Sequence, residues 1–175
     1  MPAKRGRPRR PLIMELQGNP VLKDTDETAM TYETSGTSEW PQPRDGIAVT
    51  HLLIVRDVDR SRHFYADSLG GQVLMEGTPS ILRFHNTWLV LSTEGGPTDD
   101  KPDVIAAAPR DARTLTSALN LRVSDIYDVY ERWSARGAEF LTPPKVHPAE
   151  IRCYMRDPDG HLIEVGQSTR LPGAG

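Results

Sequence analysis

Residues 49–70 read VTHLLIVRDVDRSRHFYADSLG, and the order of elements in this stretch decides the fold. Val49–Val55 is an apolar run typical of a strand, and Asp57 is a helix N-cap before Val58–Leu69, which we predict to be an amphipathic helix. A glycine pair at residues 70 and 71 ends that helix. Three strands follow, near Val73–Glu76, Ile81–Phe84 and Trp88–Thr93. The stretch therefore opens a β-α-β-β-β module.

The same order of elements recurs in the second half of the chain. A strand over Ala118–Val123 precedes the cap Asp125, a helix over Ile126–Ala135 and a stop at Gly137. Strands follow near Glu139–Leu141, Ile151–Arg156 and His161–Gly166. We therefore predict an α+β fold made of two βαβββ modules.

Composition sets the boundaries of the folded part. The chain has 175 residues with 15 Pro and 14 Gly, and its first 47 residues have no sustained helical or strand period. We predict that residues 1–47 are a disordered, basic, proline-rich tail. The remaining segments are a folded domain at 48–169, divided into module one at 48–94, a linker or lid at 95–116 and module two at 117–169, and a C-terminal tail at 170–175.

Cysteine usage and charge exclude several classes of protein. The single cysteine, Cys153, excludes an intramolecular disulfide framework and any multi-cysteine metal site. The sequence has no membrane-length apolar run and no secretory signal, so we expect a cytoplasmic protein without membrane contact. Residues 1–10 hold five basic and no acidic side chains, although the net charge of the chain is −3. The rest of the chain is therefore acidic, which argues against nonspecific nucleic-acid binding by the folded domain.

Any nucleic-acid affinity is expected to lie in residues 1–10. Residues 4–10, KRGRPRR, resemble an AT-hook, a short element that places extended arginines in a narrow A·T minor groove. A solvated basic tail is the alternative, as is translation from an internal start at Met14 or Met30.

Three segments resemble the vicinal oxygen chelate superfamily, which includes glyoxalase I, fosfomycin and bleomycin resistance proteins and extradiol dioxygenases. They are His51–Asp57, Arg60–Gly70 and Arg156–Glu164, and the resemblance extends over about Val49–Ser168. It implies that the two modules pair and that their curved sheets form a half-open cup holding metal and substrate.

Glu164 is the candidate catalytic residue. Alternation along the last strand places Glu164 on the cup face and Ile163 and Val165 on the helix-covered face. The resemblance implies that this glutamate is a metal ligand, or a base when it leaves the metal. A solvated glutamate on an open sheet is the alternative.

His51 is the second candidate metal ligand, and with Glu164 it would hold Mn, Fe, Ni, Co or Zn. The family commonly has seven positions from this histidine to the aspartate opposite Asp57, whereas six separate them here. A bulge would bring His51 into the cup; without one, Thr50 takes the ligand position and His51 faces the helix opposite Leu119. Val90 and Ala118 occupy the other two ligand positions of the family, so binding without any metal is also open.

Five further side chains are candidates for substrate binding: Trp88, Asn120, Arg122, Arg152 and Tyr154. Arginine forks suit carboxylate, phosphate or enediolate oxygens, so we expect an anionic or oxygen-rich ligand. Ordinary surface arginines and a tryptophan in the core are the alternatives.

Two functions fit these residues. The first is a metal-assisted enzyme, a lyase or dioxygenase of the glyoxalase type. The second is a metal-free protein that sequesters a small molecule, as bleomycin resistance proteins do. Association with DNA through the tail is a remote third function. We also expect a homodimer, or an equivalent pairing of the modules within one chain.

Overall fold

The computed structural model describes residues 46–111 and 113–169. The predictions of a disordered tail, of an AT-hook and of a C-terminal tail fall on residues 1–45 and 170–175, which lie outside the described residues. In the part that is described, no helix is long and apolar enough to span a membrane.

The first module follows the predicted order of elements. It contains β1 (Thr50–Val55), α1 (Val58–His63), β2 (Gln72–Met75), β3 (Ser80–Phe84) and β4 (Thr87–Thr93). Asp57 caps α1 by accepting a hydrogen bond from the Arg60 backbone N–H.

The single helix predicted over Val58–Leu69 is instead an α-helix followed by a π-helical segment, Phe64–Ser68. The wider turn is closed by the Leu69 backbone N–H, which donates to the Phe64 carbonyl at 3.3 Å, and Gly71 ends the helix by donating to the Tyr65 carbonyl at 2.8 Å. A Cβ atom at residue 71 would lie 2.9 Å from that carbonyl oxygen, so the close approach needs a glycine.

The second module contains β5 (Leu119–Arg122), α2 (Ile126–Ala135), β6 (Lys145–Val146), β7 (Glu150–Arg156) and β8 (Leu162–Ser168). The strand predicted near Glu139–Leu141 is wrong. Phe140 forms only an isolated bridge with Met155, and the edge strand starts after Pro143 and Pro144. Proline has no N–H to donate to a sheet, so the pairing with β7 at Phe140 and Leu141 breaks at the two prolines and resumes at Lys145.

Each module forms one four-stranded sheet of the same topology. The strand orders are β1-β4-β3-β2 and β5-β8-β7-β6, and the first and last strands of each module pair in parallel. The other neighbours pair antiparallel. The predicted fold of two βαβββ modules is therefore confirmed.

One apolar core extends through both modules. Leu53 and Val55 from β1 and Ile163 and Val165 from β8 belong to the same buried cluster, together with Trp133 of α2. Cys153 is also buried there as a free thiol, as expected for a small apolar side chain. Modules that share a core in this way are paired within one chain.

Buried carboxylates of the second module contact the first helix of the first module. Asp159 accepts hydrogen bonds from Ser61 Oγ at 2.7 Å, Arg60 Nη2 at 2.8 Å and the Arg56 backbone N–H at 2.9 Å. Burial would raise the pKa of Asp159, but these hydrogen bonds outweigh it and the pKa lies below its ordinary value. The contact clamps the turn before β8 onto α1.

Asp157, in the same turn, accepts a hydrogen bond from the Tyr65 hydroxyl at 3.0 Å. Its other acceptor contacts are the backbone N–H groups of Asp159 and His161, which fix the turn. Burial raises the pKa of Asp157 above its ordinary value. The two aspartates thus lie in one turn but have pKa values moved in opposite directions.

Candidate functional site

The second sheet has one apolar face and one polar face. Ile163 and Val165 point into the core, so Glu164, between them on β8, points to the opposite side. We call that opposite side the cup face. Its polar side chains come from β5, β7 and β8, which the register places side by side.

Asn120, Glu164 and Tyr154 form one row across the cup face, since Glu164 is the register partner of both other residues. Asn120 Nδ2 donates to Glu164 Oε1 at 2.5 Å, and the Tyr154 hydroxyl donates to Glu164 Oε2. The hydrogen bond to Glu164 raises the pKa of Tyr154. Two neutral donors therefore orient the Glu164 carboxylate.

Arg122 and Arg152 lie in the next row, one on each side of Gly166. Arg122 Nη1 binds Glu150 Oε2 at 2.9 Å and Arg152 Nη1 binds Glu150 Oε1 at 2.8 Å. Arg122 Nη2 also donates to Ser168 Oγ at 3.0 Å. The hydrogen bonds from Arg122 and then Arg152 hold the pKa of Glu150 below its ordinary value, which keeps this carboxylate charged.

Gly166 makes that arrangement possible. A Cβ atom at residue 166 would lie 2.2 Å from Nη1 and 2.9 Å from Cζ of Arg122, so the guanidinium occupies the space of the missing side chain. Neither Gly166 nor Glu150 was predicted as a site residue from the sequence. A glycine inside a strand is the signal that could have indicated a close approach.

Trp88 lies on the first sheet, apart from the four candidates on the second. Arg83 is its register partner on β3, and the guanidinium carbon of Arg83 lies 5.5 Å from the centroid of the Trp88 ring. This is a cation–π contact between half-buried side chains. Trp88 therefore offers an aromatic surface on the other sheet.

His51 has the same orientation as Leu53 and Val55, whose side chains are in the core. The β1–β4 register runs without a break from Thr50 to Val55, so no bulge within β1 turns His51 toward the cup. It lines a cavity of about 80 Å³ with Tyr65, Leu119 and His161. Burial, and then the charge of His161, lower the pKa of His51.

The donor set of the cup does not fit a three-ligand divalent centre. His51 and Glu164 point to opposite faces of their sheets, and the family ligand positions at Val90 and Ala118 carry no donor side chain. Within residues 46–111 and 113–169, no group of three or more His, Cys, Asp or Glu side chains could hold a metal ion. Glu164 would thus be left with the Asn120 amide, a poor replacement for imidazole.

A cavity of about 470 Å³ lies between the linker and the start of β8. Its lining includes Thr114 and Leu115 of the linker and Ser117, His161 and Leu162 of the second module. Leu162 is a cup-face residue two positions before Glu164. The volume is within the range of small-molecule sites, and the cavity adjoins the cup.

The linker is held to the first module beside this cavity. Arg56 Nη2 donates to the Pro109 carbonyl at 2.8 Å, and the Ala108 backbone N–H donates to Glu94 Oε1 at 3.0 Å. Arg56 also binds Asp159 through its backbone and side chain. The linker therefore forms one wall of the cavity and is anchored to the first module.

Comparison with known proteins gives one family. The model of the Glyoxalase/Bleomycin resistance protein/Dioxygenase superfamily matches residues 47–165. Among solved structures, a glyoxalase/bleomycin resistance protein/dioxygenase from Nocardioides has a TM-score of 0.58 and 24% identity, covering 76% of this chain and 91% of that chain.

Two other structures carry more specific descriptions. TnmS3, an antibiotic binding protein from Streptomyces sp. CB03234, has a TM-score of 0.53 and 20% identity over 73% of this chain and 100% of that chain. Lactoylglutathione lyase from Agrobacterium tumefaciens has a TM-score of 0.54 and 18% identity over 72% of this chain and 96% of that chain. At these identities the similarity shows a common fold, which serves both binding and catalysis.

Proposed function

Since this chain belongs to the Glyoxalase/Bleomycin resistance protein/Dioxygenase superfamily, we propose that it binds an oxygen-rich or anionic small molecule on the cup face without a metal ion. The ligand site consists of the second sheet, the Trp88 ring and the adjoining cavity beneath the linker. The protein thereby sequesters its ligand.

The row of Asn120, Glu164 and Tyr154 carries this proposal. The amide and the hydroxyl orient the Glu164 carboxylate as a hydrogen-bond acceptor without a metal. A ligand hydroxyl or amide that donates to Glu164 would meet a preformed acceptor, which reduces the cost of ordering the site on binding. His51 contributes nothing to this row because it points into the core side of β1.

Two further features extend the proposed site, one on the first sheet and one between the linker and β8. Trp88 gives a ring on which an apolar part of the ligand can stack. The cavity beneath the linker has the size of a small organic molecule and begins at Leu162, next to the row. TnmS3, which shares the fold, is described as an antibiotic binding protein, and an antibiotic-like ligand fits such a combination of polar and apolar surfaces.

The test is a binding screen with the full chain. Oxygen-rich and anionic small molecules, antibiotics among them, are titrated by calorimetry and by quenching of tryptophan fluorescence, with and without EDTA. We expect at least one ligand whose affinity EDTA leaves unchanged and Tyr154→Phe lowers about tenfold. Tyr127→Phe on the exposed face of α2 is the matched control.

Two outcomes would contradict metal-free binding. One is a screen in which no compound binds. The other is a ligand whose affinity EDTA removes and added Mn, Fe, Ni, Co or Zn restores. Elemental analysis of the purified protein identifies the ion in that case.

Proton transfer by Glu164 is a second candidate function. The observation in its favour is the hydrogen bond between the Tyr154 hydroxyl and the Glu164 carboxylate, which places an acid and an acceptor together in the cup. A ligand that is converted on incubation, and recovered unchanged with Glu164→Gln, would show that the protein is an enzyme whose reaction depends on the Glu164 carboxylate. Mass spectrometry of the incubated ligand separates conversion from sequestration.

Two assignments of cellular context accompany the proposal. One is a cytoplasmic location, because a chain with a single cysteine has no disulfide framework of the kind common in small exported domains. Homodimer formation is the other, and light scattering of the purified chain decides between a dimer and a single chain with paired modules.

A further inference from the structure

The cup face carries a row of positive charges that the proposed function has not used. Arg122 on β5 faces Gly166 on β8, Gly166 faces Arg152 on β7, and Arg152 faces Lys145 on β6. We call Arg122, Arg152 and Lys145 the cationic row. It lies beside the row of Asn120, Glu164 and Tyr154.

Without a negative side chain beside it, such a row of positive charges would destabilise the sheet. Like charges directly opposite one another on neighbouring strands repel, and Lys145 and Arg152 are register partners. Glu150 binds both arginines, so one carboxylate serves two guanidinium groups. Three positive side chains and one negative side chain leave the row with an excess of positive charge.

The guanidinium groups are also accessible. The side chains of Arg122 and Arg152 are 43% and 38% exposed, whereas Glu150 is 24% exposed. Each guanidinium has five N–H donors, and the hydrogen bonds described above use two donors of Arg122 and one of Arg152. Donors of both half-exposed guanidinium groups therefore remain for an incoming group on the solvent side of the row.

We propose that the cationic row binds an oxyanion of the ligand, a phosphate or a carboxylate, and that the Glu150 carboxylate occupies the two arginines until the ligand displaces it. This proposal rests on the proposed function and names the chemical class of its ligand. The planar forks of Arg122 and Arg152 match the oxygen spacing of either anion. Lys145 adds a point charge at the edge of the sheet.

Titration with inorganic pyrophosphate, inorganic phosphate and malonate tests the proposal and separates the two anions. The full chain is used at low salt, and binding is followed by calorimetry and by the NMR signals of the arginine Nε–H groups. We expect the Arg122 and Arg152 signals to shift with the same affinity that calorimetry gives. Because the NMR signals are assigned to individual arginines, they distinguish binding at this site from binding by the basic residues 1–10.

Substitutions in the row make the expected effects specific. Arg152→Gln and Lys145→Gln should each weaken binding of the preferred anion about tenfold. Glu150→Gln should strengthen it severalfold, because an internal competitor is removed. Arg132→Gln on α2, whose side chain is 52% exposed and pairs with Asp128, is the matched control and should change nothing.

The proposal for the cationic row would be overturned if Arg152→Gln and Arg132→Gln changed the anion affinity equally, or if Glu150→Gln bound the anion more weakly than the natural protein. A screened ligand that binds the cup with an affinity unchanged by Arg152→Gln would also overturn it, while the proposed function would stand. A chain that binds the three anions through Arg122 and Arg152 but no screened compound would leave the row intact and contradict the wider ligand site.

Discussion

Ser61 Oγ donates a 2.7 Å hydrogen bond to Asp159 Oδ2, and both side chains are fully buried although they belong to different modules. The same carboxylate binds Arg60 and the Arg56 backbone N–H. The turn of the second module is thus bound to the first helix of the first module by charge-assisted hydrogen bonds.

Asp159→Asn should destabilise the protein by about 2 kcal/mol, because hydrogen bonds to a charged group contribute roughly 1.5–3 kcal/mol. Arg60 and Arg56 are half-exposed, so water can solvate them after the loss. Chemical denaturation measures the change. Asp128→Asn on the exposed face of α2 is the control and should cost less than about 0.5 kcal/mol; equal losses would show that Asp159 is not a clamp.

The pH dependence of stability should report on His51. In the folded protein, burial and then the charge of His161 disfavour the charged imidazole and hold the pKa of His51 below its ordinary value of 6.5. In the unfolded chain the pKa keeps that ordinary value. The unfolded chain therefore takes up a proton first as the pH falls. The stability that depends on neutral His51 is present in full above pH 6.5 and is lost as the pH falls through the folded-state pKa.

His51→Gln should flatten this loss, measured by denaturation in steps from pH 7.5 to pH 5. His63→Gln is the control, since His63 is exposed on α1. An unchanged slope in His51→Gln would contradict the placement of His51 on the core side of β1.

Gly166→Ala should change the site more than the fold. The added Cβ would displace the flexible end of Arg122, so we expect a stability change below about 1 kcal/mol and loss of the Arg122–Glu150 contact. Without the hydrogen bond from Arg122, the pKa of Glu150 should rise toward its ordinary value. An NMR titration of Glu150 measures this, and Gly95→Ala, with nothing within 4 Å of the added atom, is the control. An unmoved Glu150 pKa would contradict the role of Gly166.

Removing the residues before Trp40 should leave the melting temperature essentially unchanged, because that segment has no periodic apolar face to bury. Calorimetry of the full and shortened chains tests the boundary. Loss of cooperative unfolding in the shortened chain would show that the folded part begins earlier.

Binding to A·T-rich duplex DNA, where it occurs, should disappear when residues 1–10 are removed. Gel shift at low salt compares the two chains with A·T-rich and G·C-rich duplexes. Equal affinity of both chains for A·T-rich duplex would refute the AT-hook hypothesis.

Local signals in the sequence were enough for much of the fold. The bounds of α2, Ile126–Ala135, agree with the prediction because a capping aspartate and a glycine mark its two ends. The edge strand at Lys145–Val146 was missed, because a two-residue strand has no period of its own and the apolar residues before it suggested another position.

The candidate site was predictable only in part. Alternation correctly placed Glu164, Asn120 and Tyr154 on one face of the second sheet. The link from Arg122 to Glu150 crosses an intervening strand, and the role of Asp159 depends on Ser61, 98 residues away. No local pattern carries such contacts. For His51 the spacing of six residues was the better guide than the family resemblance.

The β3–β4 hairpin of the first module and the β7–β8 hairpin of the second module have different turns. The two modules are therefore not interchangeable. Two residues, His85 and Asn86, join β3 to β4, whereas the aspartate-bearing turn joins β7 to β8. A protein made of two copies of the first module would keep the internal symmetry of the repeat. It would lack Asp157 and Asp159, whose carboxylates bind Tyr65 and Ser61 of the first module. A circular permutant that starts at the second module keeps both turns. It should therefore retain the hydrogen bonds between the modules that the duplicate loses.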